Sequence, residues 1–445
     1  MTVDAADVNL GQDDGGPGEH HGRHGRHRGQ PRLTSLLGPA FVAAIAYVDP
    51  GNVAANLSAG AEYGYLLLWV LVVANLMAAV VQYLSAKLGL VTSRSLSATL
   101  ADWFDRRESG GTTARRRRGR AGRLAFWGQA EIIAAATDVA EVVGGAIALN
   151  LLFGTPLVLG GVLVGVVSLG MLALQGGRTQ RHFEFMIMGF LLVITVGFLS
   201  GLVVTGLTVG EMVDGVVPRF QGTQSVVLAA GMLGATVMPH AVYLHSGLVR
   251  DRRFTPHGDE GMRRHLKATK WDVGTALVVA GTVNIAMLCL AAQALRGVDG
   301  TETIEGAHAA VEGALGPVVG VLFAVGLLAS GLASTSVGCY AGDMVMRDLL
   351  KIRVPLMLRR LLTMLPALVI LAAGVEPTWA LVMSQVVLSV GIPFALVPLV
   401  AATARRSVMG RWTNPRALTA LAAVICAVII VLNVALIWLT LTGQA

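Results

Sequence analysis

The chain has 445 residues, 54% of them hydrophobic and 14% charged, with a mean hydropathy of +0.66 and a formal net charge of +7. No soluble core needs that much apolar surface, so the composition excludes an ordinary soluble enzyme and indicates a polytopic membrane protein. The three cysteines, Cys289, Cys339 and Cys426, lie in apolar runs without CxxC or Cys/His spacing, which reads as packing and excludes disulfides and zinc ligation.

Residues 1–34 contain GQDDGGPGEHHGRHGRHRGQ, too rich in Gly, His and Arg to build a core. They read as a disordered cytoplasmic tail, in which His20, His21, His24 and His27 could collect metal ions but serve more simply as a solvated basic stretch. Eleven apolar segments follow, at 35–60, 64–92, 124–152, 156–174, 182–206, 225–249, 273–295, 316–346, 358–374, 378–403 and 416–441. Alternate connections are basic, among them 106–123, 176–181 and 404–411, while those between are short or acidic, such as 210–215 and 298–313. Lys and Arg accumulate on the cytoplasmic side, so the N-terminus is expected inside and the C-terminus outside. Topology then accounts for the positive charge, and no nucleic-acid partner or obligate protein partner is implied. A composition rich in Arg, Ala and Gly without an organelle signal suits a bacterial plasma membrane.

The first segment is interrupted by Asp49, Pro50, Gly51 and Asn52. About 20 apolar residues are needed to cross hydrocarbon, and Leu36 to Ala61 supply them only if this interruption lies at membrane depth. In a soluble protein Asp-Pro-Gly would be an ordinary surface turn. Here proline removes a donor and clashes with the preceding turn, so the helix should unwind and free main-chain carbonyls, which survive only beside protein or a polar cavity.

The third segment carries Glu131, Asp138 and Glu141, whose offsets of seven and ten place them on one helical face. Acids in a membrane span are costly, so this stripe should face a polar interior as a proton relay, or alternatively pair with buried Arg or His to lock helices. The sixth segment is broken in turn by Met238, Pro239 and His240. If segments one to five (35–206) and six to ten (225–403) are two repeats, with 416–441 appended, the broken helices open each half, the pattern of an inverted-repeat transporter with its substrate site at the midplane. Asp49, Asn52 and Met238, with the carbonyls of Ala46 and Ala235, form a mixed oxygen and sulfur set. Such a set suits a transition metal better than Ca²⁺ or Mg²⁺, and Met238 would act as a selectivity filter, although a membrane Met often only fills space. His240 and His245, five apart, do not share a face; both could titrate, His240 being adjacent to the break.

The stretches DPGN (49–52), EIIAAATDVAEVVGGAIALNLLFGTPL (131–157), GATVMPHAVYLHS (234–246) and SQVVLSVGIPFALVPL (384–399) resemble the Nramp family of proton-coupled divalent-metal transporters. The resemblance covers nearly the whole hydrophobic chain. It implies an all-α, LeuT-type fold of 5+5 helices plus one. It further implies metal held by Asp49, Asn52, Met238 and the carbonyls of Ala46 and Ala235, with Gln385 joining in one conformation. It assigns proton relay to Asp138 and Glu141. On the residues themselves, Glu131 could lie at the cytoplasmic end of the path with Arg359, Arg360 and Arg252 as candidate partners, or the arginines could equally be positive-inside residues with no coupling role. Ala241 departs from members with Asn after the MPH triplet, and Met238 argues against branches that move Mg²⁺ or trivalent ions. The implied function is proton-coupled import of Mn²⁺, with Fe²⁺ and Cd²⁺ as further cargo, by alternating access and without a resident cofactor. An amino-acid or sodium transporter of the same fold would not need the thioether. An intramembrane enzyme finds no support in an HExxH or GxSxG motif.

Overall fold

A computed structural model describes residues 38–109, 113–173, 180–206, 208–251, 258–301 and 303–442. The tail with its four histidines and Arg252 lie outside the described residues. In chain order the α-helices are α1 (Pro39–Ala44), α2 (Pro50–Tyr63), α3 (Leu68–Thr92), α4 (Leu96–Ser109), α5 (Thr113–Phe153), α6 (Leu157–Ala173), α7 (Gln180–Thr205), α8 (Val209–Gly215) and α9 (Gly222–Thr236). They continue as α10 (Pro239–Asp251), α11 (Gly258–Ala294), α12 (Ile304–Leu315), α13 (Pro317–Leu350), α14 (Leu356–Ala372), α15 (Pro377–Thr403), α16 (Arg406–Met409) and α17 (Arg416–Leu441). No strand occurs among the described residues.

Among the described residues eight spans are long and apolar enough to cross a membrane, counting 222–251 as one through its break. The other three apolar segments of the sequence fall on the interrupted stretch 39–63 and on the 17-residue helices α6 and α14. Large apolar side chains point outward on the long spans α7 and α17, Leu192 at 64%, Val203 at 81% and Trp438 at 67% exposure, as expected where hydrocarbon rather than water surrounds the helices. The protein is a multi-pass, all-α membrane protein. Four shorter helices, α4, α8, α12 and α16, do not stand out as apolar segments in the sequence, because hydropathy marks what enters the membrane and these are mixed in polarity or very short. For the same reason α5 and α11 begin well before the apolar segments they carry.

The two broken helices sit at the centre. The α1–α2 pair is enclosed by α5, α11, α13 and α15, and the α9–α10 pair packs on α2, α3, α13 and α15. Small residues permit this. A Cβ at Gly144 of α5 would stand 2.1 Å from Pro50 Cβ, and one at Gly234 of α9 would stand 2.5 Å from Ser389 Cβ on α15. Since the proline ring cannot rotate away, Gly144→Ala is expected to cost about 1–3 kcal/mol by overpacking. Thermal unfolding of the purified variant checks this; an unchanged midpoint would mean that α5 can recede from the break.

Candidate functional site

Both interruptions are built on one local device. The unwinding lies ahead of Pro50 rather than through DPGN: Ile45–Val48 forms a 3₁₀ turn, Asp49 is extended at φ −69° and ψ 165°, and α2 then starts regularly. Pro50 occupies the first helical position, where its missing N–H costs nothing. Asp49 is the N-cap, its Oδ1 accepting from the Asn52 backbone N–H at 2.8 Å. In the second helix α9 ends at Thr236, Val237 and Met238 are non-helical, and Pro239 opens α10. Proline therefore starts the second half of each broken helix, and the residue before it, Asp49 or Met238, is held on the break itself.

Hydrogen bonds bring Asp49, Asn52, Ala235 and Gln385 together. Asp49, Asn52, Ala46, Ala235 and Met238 are fully buried and Gln385 is 1% exposed. The Asn52 amide nitrogen donates to Asp49 Oδ1 at 2.7 Å and to the Ala235 carbonyl at 2.9 Å, joining the two broken helices. Gln385 Nε2 on α15 donates to Asp49 Oδ2 at 3.4 Å. It also fills the space beside Gly51, where a Cβ would lie 1.7 Å from it. Asn52 Oδ1 and Gln385 Oε1 are buried without a hydrogen-bond partner among the described residues. Buried oxygens left unpaired are costly, and a cation relieves that cost. No three His, Cys, Asp or Glu side chains cluster as metal ligands among the described residues, and the hydrogen-bonded set itself offers one carboxylate, two amides and the Ala235 carbonyl, with Met238 buried on the second break.

The acidic stripe of α5 is partly paired. Asp138 is ion-paired with Arg360, whose Nε also donates to Ser168 Oγ at 3.1 Å, and both members of the pair are buried. Glu131 accepts from Arg359 Nη2 at 2.8 and 3.0 Å and from Trp127 Nε1 at 3.1 Å. Glu141 is fully buried and neither carboxylate oxygen has a hydrogen-bond partner among the described residues. Arg359 and Arg360 thus sort to Glu131 and Asp138 respectively.

The histidines diverge, as their spacing implies. His240 Nδ1 faces Thr137 Oγ1 of α5 at 3.4 Å, its buried Nε2 has no hydrogen-bond partner among the described residues, and a cavity of about 20 Å³, enough for a water, lies beside it. His245 Nδ1 lies 2.7 Å from Gln82 Oε1, and Gln82 Nε2 donates to the Tyr47 hydroxyl at 2.6 Å, tying α10 to the 3₁₀ turn through α3.

Several polar residues that hold the break were missed by sequence reasoning. Asp272 of α11 accepts from the backbone of Gly38 at 2.8 Å and Ala40 at 3.0 Å, capping α1 from another helix. Asn284 accepts from Asn56 at 2.9 Å and donates to the Tyr47 carbonyl at 2.7 Å, and Ser330 of α13 donates to the Val48 carbonyl at 2.5 Å. Carbonyls at the break thus find side-chain partners, as unwound backbone in a membrane must. The available signal was single amides and acids within apolar segments, which face the interior by necessity.

Residues 40–439 match the family described as Natural resistance-associated macrophage protein-like, Nramp. The chain belongs to the Nramp family. It is 58% identical over 408 residues to the divalent metal cation transporter MntH of Mycobacterium tuberculosis, covering 92% of each chain. It is 42% identical over 416 residues to that of Bacillus subtilis, covering 93% of this chain and 94% of the relative. Among solved structures it is similar to the Eremococcus coleocola manganese transporter, with a TM-score of 0.80 at 28% identity, covering 91% of this chain and 86% of the other. A nucleobase-cation-symport-1 family transporter shares the fold, with a TM-score of 0.57 at 14% identity, covering 90% of this chain and 89% of the other. These Nramp relatives are named as transporters, and the enzyme class falls away.

Proposed function

We propose that this Nramp-family chain imports divalent transition metals, Mn²⁺ first and Fe²⁺ and Cd²⁺ as further cargo, coupled to protons and by alternating access. The observation that carries the reading is the hydrogen-bonded set of Asp49, Asn52, Ala235 and Gln385 between two broken helices, with Met238 buried on the second break. The names of the Nramp relatives support the metal, and the donor set supports a transition metal among cations.

The Asn52 amide nitrogen stands between Asp49 Oδ1 and the Ala235 oxygen, bonding both as a cation would. Turning the amide over presents the unpartnered Oδ1 instead, so one side-chain rotation converts a closed hydrogen-bond set into oxygen donors. Asp49, Asn52, Met238, the Ala46 and Ala235 carbonyls and Gln385 would then hold the ion. Glu141, buried and unpaired, is the acid free to take a proton, and Asp138 with Arg360, then Glu131 with Arg359, would continue the route. His240 would add a side branch through its adjoining cavity, and His245 would link Tyr47 to α10 through Gln82. Arg252 belongs to the same proposal. So do the tail at 1–34, the repeats 35–206 and 225–403, the appended 416–441, the plasma-membrane location and the inside N-terminus.

Met238→Ala tests the substrate assignment. The variant should still bind Mn²⁺, but its preference for Mn²⁺ over Ca²⁺ should fall by roughly tenfold or more, since only the softer ion gains from sulfur. Competition binding on purified protein measures this, and equal selectivity in wild type and variant would sink the filter role.

A further inference from the structure

Away from the broken helices, a groove of about 280 Å³ opens between α4, the last turns of α15 and the start of α16. Leu96, Leu100 and Val397 give it apolar walls, Trp103 stands at its rim, and Arg106 and Arg405 are its only charged lining residues. Neither guanidinium forms an ion pair among the described residues. The carboxylates of α4 are already engaged, Asp102 with Arg94 at 2.7 Å, Glu108 with Arg123 at 3.0 Å, and Asp105 with Arg123 and with Lys351 at 3.1 Å. The groove therefore carries two uncompensated positive charges above an apolar floor.

The floor continues along the outer face of α15. Val390, Phe394 and Val397, spaced four and three apart, are 39%, 46% and 47% exposed and form one strip that leads into the groove. Trp103 is 39% exposed, and the Arg107 guanidinium sits 3.7 Å above its ring, an arrangement suited to the level of lipid headgroups. A ligand matching both features needs a negative head between Arg106 and Arg405 and an apolar chain along Val397 and Phe394.

The geometry points to an anionic phospholipid seated in this groove, its phosphate between Arg106 and Arg405 and an acyl chain on the α15 strip. A free phosphate would satisfy the arginines and leave the apolar walls bare, and a zwitterionic lipid would bring its own cation against them. Only the choice of leaflet, the cytoplasmic one, rests on the orientation proposed above; binding itself does not depend on the transport reading. Because α15 also carries Gln385, the lipid would brace a helix that reaches the candidate metal site.

Native mass spectrometry of the purified full chain with added phosphatidylglycerol or phosphatidylcholine tests this. Wild type should retain phosphatidylglycerol in preference to phosphatidylcholine, and the double variant Arg106→Gln, Arg405→Gln should bind it roughly tenfold more weakly or worse. Ala401→Trp, which fills the groove and keeps both charges, should lose the adduct as well. Unchanged phosphatidylglycerol retention in either variant, equal retention of phosphatidylcholine by wild type, or displacement of the lipid by inorganic phosphate alone would overturn the proposal. Thermal unfolding in phosphatidylcholine confirms that each variant is folded, and the two variants act by independent routes.

Discussion

Asp49→Asn is expected to lower Mn²⁺ uptake by at least roughly 100-fold while leaving the fold intact. Asparagine caps a helix about as well as aspartate, so the bond to the Asn52 backbone N–H survives and α2 still starts at Pro50. The charge does not survive. Asp49 is the one carboxylate in the hydrogen-bonded set, and losing the sole anion facing a divalent cation in a water-poor site costs about 3 kcal/mol or more, which is roughly 100-fold in affinity. Asp49→Ala should lose uptake to the same degree and a further ~1 kcal/mol of stability with the cap. Uptake and thermal unfolding measured side by side separate the two roles; normal uptake by a folded Asp49→Asn protein would remove the carboxylate from the proposed site.

The second large effect concerns α5. Asp138→Asn strands the fully buried Arg360 guanidinium, and a broken buried ion pair of this kind is expected to destabilise the fold by about 3–5 kcal/mol. Glu141→Gln should behave in the opposite way. Its carboxylate has no hydrogen-bond partner to lose, so the change should cost less than about 1 kcal/mol. The pair of variants therefore distinguishes a lock from a relay. A purely structural stripe predicts that Glu141→Gln is silent in every assay, whereas the relay predicts a stable protein that admits metal with altered proton movement. Chemical unfolding together with paired metal and pH records gives both readings.

The apolar segments and their two interruptions were legible in the sequence because each signal is local: hydropathy for the span, proline for the break. The position of the unwinding was less so. DPGN looks like the break, but Pro50 at a first helical position makes it the start of a helix and pushes the irregular backbone to 45–49. The meeting of Asn52 with the Ala235 carbonyl, 183 residues away, was visible only through the parallel placement of the two interruptions and the family resemblance. The partners of the acidic stripe were narrowed to a few arginines, yet periodicity within α5 could not say that Arg360 goes to Asp138 and Arg359 to Glu131. Asp272, Asn284, Ser330 and Gln82 were passed over. Single polar residues in apolar runs carry no spacing to read, and their role exists only once another helix brings a carbonyl or N–H within 3 Å.

The central claim, metal import coupled to protons through the broken-helix site, is tested most directly by following Mn²⁺ entry and luminal pH together in proteoliposomes, for wild type and Asp49→Asn. The account predicts Mn²⁺ entry with acidification in wild type and neither in the variant. Mn²⁺ entry without acidification would contradict the coupling, and Mn²⁺ entry undiminished in folded Asp49→Asn protein would contradict the site.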